Sequence, residues 1–95
     1  MSSSHSRRHI PHADALLACF STRQYLHPHQ SVAETMTAAQ GELGVCPMAA
    51  QTALDWLQIN PERPIGRLRR CELVQLSRSI HRFWLQALAD ASQPA

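Results

Sequence analysis

The chain has 95 residues, of which 44% are hydrophobic and 17% charged, with a formal net charge of +2. A chain of this length makes one domain and buries only about 60 to 65% of its extended-chain surface, which excludes a multidomain enzyme and leaves little interior for a large catalytic pocket beside a core. The apolar and charged fractions equally exclude a wholly disordered tail.

Every basic residue is an arginine, a usage that a GC-rich genome produces without functional selection, so position is more informative than kind. Residues 1–30 carry Arg7, Arg8 and Arg23 against Asp14, and residues 31–62 carry only Glu34, Glu42, Asp55 and Glu62. Residues 63–82 then carry Arg63, Arg67, Arg69, Arg70, Arg78 and Arg82 against Glu72. An acidic middle is joined to a basic last helix.

In chain order, residues 1–10 hold Ser, Arg and His with almost no apolar content, and are expected to form a disordered arm. Pro11 suits a first helical position and Asp14 a first turn, while Leu16, Leu17 and Phe20 supply a helical stripe that Pro28 must end. The first helix is predicted over 11–26. Ser31 with Glu34 makes a capping box that starts a second helix, which carries Val32, Met36, Ala39 and Leu43 on one face and ends at Gly44. Pro47 opens a third, with Ala50, Ala53, Leu54 and Leu57 inward and Gln51, Asp55 and Gln58 outward. Asn60–Gly66, with Pro61 and Pro64, reads as a stiff connection. From Arg67 to Ala91 nothing breaks a helical pattern in which Leu73, Leu76, Ile80, Phe83 and Ala87 form a heptad-like seam. The expectation is an all-α fold, a small four-helix orthogonal bundle with a long C-terminal helix, in a single domain over 11–91 with a tail over 92–95.

Cys19, Cys46 and Cys71 are odd in number and widely spaced, so neither a disulfide framework nor a zinc finger is written here, and a reducing cytoplasm is the expected location. The apolar run at Ala15–Phe20 is too short for an export signal, and no run is long enough to span a bilayer. His5, His9 and His12 would share a helix face and could take Zn or Ni, but Pro11 argues against a helix there, so no metal and no cofactor is expected. His27 and His29 flank Pro28. His81 has no Ser, Cys or carboxylate spaced to make it a general base. Cys46 ahead of Pro47 stands where a thiolate is favoured; the plainer reading makes Cys46 and Cys71 small apolar fillers. The main catalytic motifs are absent, and no enzymatic activity is expected.

Residues 38–57, AAQGELGVCPMAAQTALDWL, resemble the helix-turn-helix of bacterial regulators. Leu43, Gly44 and Val45 match the turn, Cys46 stands where Ser is commoner, and Ala50 and Ala53 take packing positions. That resemblance implies DNA contacts from Gln51 and Thr52, yet the supposed recognition helix has no Arg or Lys and lies in the acidic segment. Basic charge lies later, where Arg67, Arg70, Arg78 and Arg82 fall in one sector able to face phosphate, a protein or solvent. Beside them, Val74, Trp84, Leu85 and Leu88 widen the apolar surface beyond what one short neighbouring helix covers.

Leu73, Leu76, Ile80 and Phe83 are therefore expected to form a homodimer seam, and Arg78, His81, Arg82, Trp84, Leu85 and Leu88 a protein-binding surface. The small helical make-up, the arginine-only basicity and the bulky last helix RSIHRFWLQALAD resemble the QslA-like quorum-sensing antiactivators. That likeness implies a cytoplasmic dimer that binds a LuxR-type transcription factor through apolar helix faces and blocks its dimerisation. The expected function is thus a non-enzymatic protein-binding regulator, and the alternative is a DNA-binding helix-turn-helix regulator.

Deleting residues 1–10 is expected to move the thermal midpoint by no more than about two degrees, since Met1 and Ile10 are the segment's only sizeable apolar groups. A circular-dichroism melt of the shortened chain tests this, and a large loss of stability would show that the arm is docked.

Overall fold

In a computed structural model, which describes residues 11–92, the chain is an all-α bundle: α1 Ala13–Leu26, α2 Val32–Leu43, α3 Pro47–Leu57 and α4 Arg70–Ser92, with one 3-10 turn, Ile65–Arg67, before α4. The arm 1–10 and the last tail residues lie outside the described residues.

Local signals set most boundaries. Helix α1 begins two residues later than predicted because Pro11 lies ahead of the cap and His12 supplies it, while Asp14 falls in the first turn as expected. His12 keeps extended backbone and its Nδ1 accepts from the Asp14 amide at 3.2 Å, leaving Pro11 buried ahead of the cap. At α2 the capping box is complete, with Ser31 Oγ accepting from Glu34 N at 3.0 Å and Glu34 Oε1 from Ser31 N at 2.9 Å. Gly44 closes the helix in the left-handed region at φ 69°. Pro47 is the first residue of α3, and Gln58 at φ 57° ends it, with Ile59 N donating to Leu54 O.

The proline-rich connection is a structured brace. Arg63 O and Pro61 O accept from Val32 N and Ala33 N at 2.8 and 2.9 Å, which satisfies the α2 amides that the capping box leaves open. Ile65 N and Gly66 N donate to Gln30 O and Pro28 O. Gln24 of α1 donates from one amide nitrogen to Ile65 O and Leu68 O at 2.9 and 2.8 Å. The brace also delays α4, which starts at Arg70 rather than Arg67. Arg67 belongs to the 3-10 turn, so it does not share the helix with Arg78 and Arg82. Glu72 then accepts from Arg69 N at 2.8 Å and pairs with Arg63, and these contacts hold its carboxyl below the usual glutamate range against the opposing effect of burial.

Helix α4 is the centre of the packing, with α3 along one side, α1 along another and α2 held against α1. Leu73, Leu76 and Ile80 are essentially inaccessible and Trp84 is 6% exposed. They meet Leu16 and Phe20 from α1, Val32, Met36 and Ala39 from α2, Ala49, Ala50, Ala53 and Leu54 from α3, and Ile59, Ile65 and Leu68 from the connection. This corrects the expected dimer seam. The wide apolar arc of α4 is covered by two helices of the same chain, so Leu73, Leu76 and Ile80 are core residues, Phe83 is half-buried, and Trp84 is an internal anchor rather than a contact for another protein. Buried Ser77 and Thr35 are satisfied by Leu73 O and Ser31 O, one helical turn back. Cys71, expected as an apolar filler, is exposed on the first turn of α4; Cys46 is half-buried. No helix among the described residues is long and apolar enough to cross a membrane.

Two glycines separate the brace from the helices by sign. A Cβ on Gly66 would stand 2.8 Å from Pro28 Cβ and 2.9 Å from the Pro28 carbonyl oxygen, whereas one on Gly41 of α2 meets nothing within 4 Å. Gly66→Ala is expected to cost about 1–3 kcal/mol and Gly41→Ala to gain about 0.5–1 kcal/mol, as read by urea denaturation. Equal effects would contradict the close approach of the brace to Pro28.

Candidate functional site

The most distinctive surface lies along the seam of α3 and α4. Helix α3 turns its alanines and Leu54 inward, which places Met48, Thr52 and Trp56, four residues apart, on one outward row. Met48 is 69% and Trp56 66% exposed. From α4, Phe83 rises half-buried between the helices, and its ring meets that of Trp56 edge-on, with centroids 6.2 Å apart at 71°. The Arg82 guanidinium carbon lies 4.9 Å from the Phe83 ring centre and 5.7 Å from that of Trp56. A cation set against a pair of touching rings limits the rotamers of all three side chains, so the exposed indole is held in place.

Two shallow grooves flank this cluster. One, of about 290 Å³, is lined by Trp56, Leu57, Gln75, Arg78, Ser79 and Arg82. The other, of about 160 Å³, includes Met48, Thr52, Phe83 and Asp90. Trp56 lines the first groove and Phe83 the second, so the ring pair stands between them; the two grooves with that ring pair make up the α3–α4 furrow, from Met48 to Arg78.

The residues expected to bind a protein divide accordingly. Arg78 and Arg82 are exposed on the furrow. Leu85 is 48% exposed and Leu88 is half-buried against the core. His81 is half-buried on a different face, with Nδ1 3.0 Å from Pro11 O and its ring 5.4 Å from that of His12. Trp84 is internal. Sequence reading passed over Trp56 and Met48, which sit on the face marked polar by Gln51 and Asp55. The available signal was the spacing of Met48, Thr52 and Trp56, which puts two large apolar groups among polar ones.

The resemblance to a helix-turn-helix is local. Gly44 takes the turn conformation, but α3 packs chiefly on α4. Gln51 and Thr52 are exposed, and Gln51 Nε2 donates to Asp55 Oδ1 at 3.0 Å, so a carboxylate occupies one of the expected reading groups.

A further cavity, of about 330 Å³, opens between α1 and α2 and includes Cys19, Arg23, His27 and Glu42. Arg23 pairs with Glu42, and Cys19 Sγ donates to Glu42 Oε1 at 3.4 Å. The Arg23 hydrogen bond, then that of Cys19, holds the Glu42 carboxyl below its ordinary value. Burial, reinforced by Glu42, pushes the Cys19 thiol from 9.0 up to about 11. Protonated at neutral pH, this thiol is a poor nucleophile, and the trio acts as a tie between α1 and α2. Among the described residues no three His, Cys, Asp or Glu side chains come together as metal ligands, while His5 and His9 lie outside those residues.

No protein-family model, curated protein sequence or solved structure matches the chain.

At pH 8 a two-unit rise in pKa cuts the thiolate fraction about 100-fold, and the greater nucleophilicity of a more basic sulfur returns part of that. Cys19 is therefore expected to alkylate roughly tenfold more slowly than a free thiol. Peptide mass spectrometry after timed iodoacetamide treatment should find Cys71 labelled first. Burial is the larger cause, so Glu42→Gln restores only part of the rate. Equal labelling of Cys19 and Cys71 would refute the tie.

Proposed function

We propose that this chain is a non-enzymatic regulatory protein of the reducing cytoplasm, acting by binding another protein through the α3–α4 furrow. The observation that carries this reading is Trp56, two-thirds exposed yet held by Arg82 and Phe83. A free tryptophan on a surface gains nothing in the monomer. A positioned one loses little side-chain entropy when a partner covers it, and Trp, Arg and Met are the residues enriched where protein interfaces concentrate their binding energy. The furrow is shallow and has no nucleophile paired with a base, which suits docking better than turnover. The resemblance to quorum-sensing antiactivators supplies the partner class: a transcriptional regulator whose dimerisation face is covered when this chain binds.

The test replaces Trp56, and in a control Thr37 on the exposed side of α2, with a photo-crosslinking amino acid in cells. Position 56 is expected to capture a transcriptional regulator that position 37 does not. With the captured protein purified, Trp56→Ala and Arg82→Ala should each weaken the complex at least about tenfold, or roughly 1.4 kcal/mol, while the melting midpoint falls by only a few degrees, the worth of an exposed ring and cation contact. Crosslinks to nucleic acid, or the same products from both positions, would overturn the proposal.

A further inference from the structure

Resting on that reading of the furrow, we infer that its Arg78–Arg82 groove takes an acidic, amphipathic segment of the partner: two carboxylates about one helical turn apart, followed by a large apolar side chain that lies on Trp56.

Arg23 is neutralised by Glu42 and Arg63 by Glu72. Arg78 and Arg82 have no carboxylate within ion-pair distance among the described residues, and the groove they share has no acidic lining residue. They stand one turn apart on α4, about 6 Å along its axis, a separation that carboxylates at i and i+4 of a second helix reproduce. The Arg82 guanidinium carbon lies over both rings, and with no carboxylate paired to it among the described residues its N–H donors can take one from a partner. Gln75 and Ser79, three residues before Arg78 and Arg82 respectively, line the same groove and add polar groups to it. Trp56 and Leu57 form the opposite wall, so charge recognition and an apolar seat lie side by side.

A nucleic-acid strand would also offer anions and stacking groups. Its charge, however, repeats at every nucleotide, and the furrow is basic only at Arg78 and Arg82. Asp55 adjoins Trp56 on α3 and Asp90 lines the far groove, so an extended polyanion following the furrow would meet carboxylates. A peptide with two local charges avoids both. The acidic partner segment is thus favoured by the pattern of charge and not by its sum.

The experiment selects a displayed library of random 16-residue peptides against the whole protein and, in parallel, against Trp56→Ala and the double variant Arg78→Glu, Arg82→Glu. Thermal melts are expected to show a folded protein with a midpoint lowered by only a few degrees, since the altered side chains are exposed and lose only their ring and cation contacts. Peptides recovered on the unaltered protein should be rich in Asp and Glu at i and i+4 with an aromatic or aliphatic residue nearby. They should lose roughly tenfold or more in affinity for either variant, and the charge-reversed protein should select Lys and Arg instead. Peptides that depend on Trp56 but carry no acidic bias would overturn the inference and leave the docking face standing. Peptides indifferent to Trp56 would overturn both. A single-stranded thymidine oligomer bound more tightly than any selected peptide, and released by the arginine changes, would assign the groove to nucleic acid instead.

Discussion

The structure depends on one helix being buried from two sides. Helix α4 carries apolar residues over an arc too wide for a single neighbour, and the chain covers it by setting α1 against one flank and α3 against the other. Leu73, Leu76, Ile80 and Trp84 are consequently removed from water within one chain. At about 25 cal/mol per Å² of apolar surface, these side chains form the largest stabilising contribution that any helix here can supply. The other helices are short, and helices of 11–14 residues are marginal without such packing.

Holding two flanks on one helix requires the connections to reach. The brace from Asn60 to Arg69 does this by exchanging backbone hydrogen bonds with the segment around Pro28–Ala33 and by accepting both bonds from Gln24. It ties the start of α2, the end of α1 and the approach to α4 into one corner. Close contact there requires Gly66, because any larger residue would meet Pro28. Helix α3 is left with its outer row facing solvent, and the furrow is the result. Its features follow from packing: α3 turns its alanines inward to approach α4 closely, so its large side chains, Met48 and Trp56, face out.

Such a surface combines order with exposure. Arg82 set against the Trp56 and Phe83 rings gives Trp56 a fixed position without burying it. The thiol, carboxylate and guanidinium at Cys19, Glu42 and Arg23 satisfy one another instead. Glu72 likewise satisfies Arg63 and the Arg69 amide, so these clusters are closed on themselves. The furrow sets cations with no carboxylate partner among the described residues beside exposed apolar area.

Much of the fold was legible along the chain because its signals are local. A hydroxyl three residues before a glutamate, a glycine after Leu43, a proline at the head of α3 and an apolar period in α4 each act over one or two turns, and each appears where expected. What covers an apolar face is a different kind of fact. The seam of Leu73, Leu76, Ile80 and Phe83 has the same period whether it meets a second chain or α1 and α3, so periodicity could not tell an internal neighbour from an external one. For the same reason Trp84 read as a contact and Trp56 went unremarked, although the structure buries the first and exposes the second. The start of α1 shifted from Pro11 to Ala13 because a histidine ring served as the cap, a role set by its rotamer and not by its residue type. Sequence by itself determined where helices form and which faces are apolar, since backbone capping and side-chain period are near-neighbour physics. Tertiary structure alone decided which apolar faces meet and which arginines find a carboxylate, because those pairings join residues far apart in the chain.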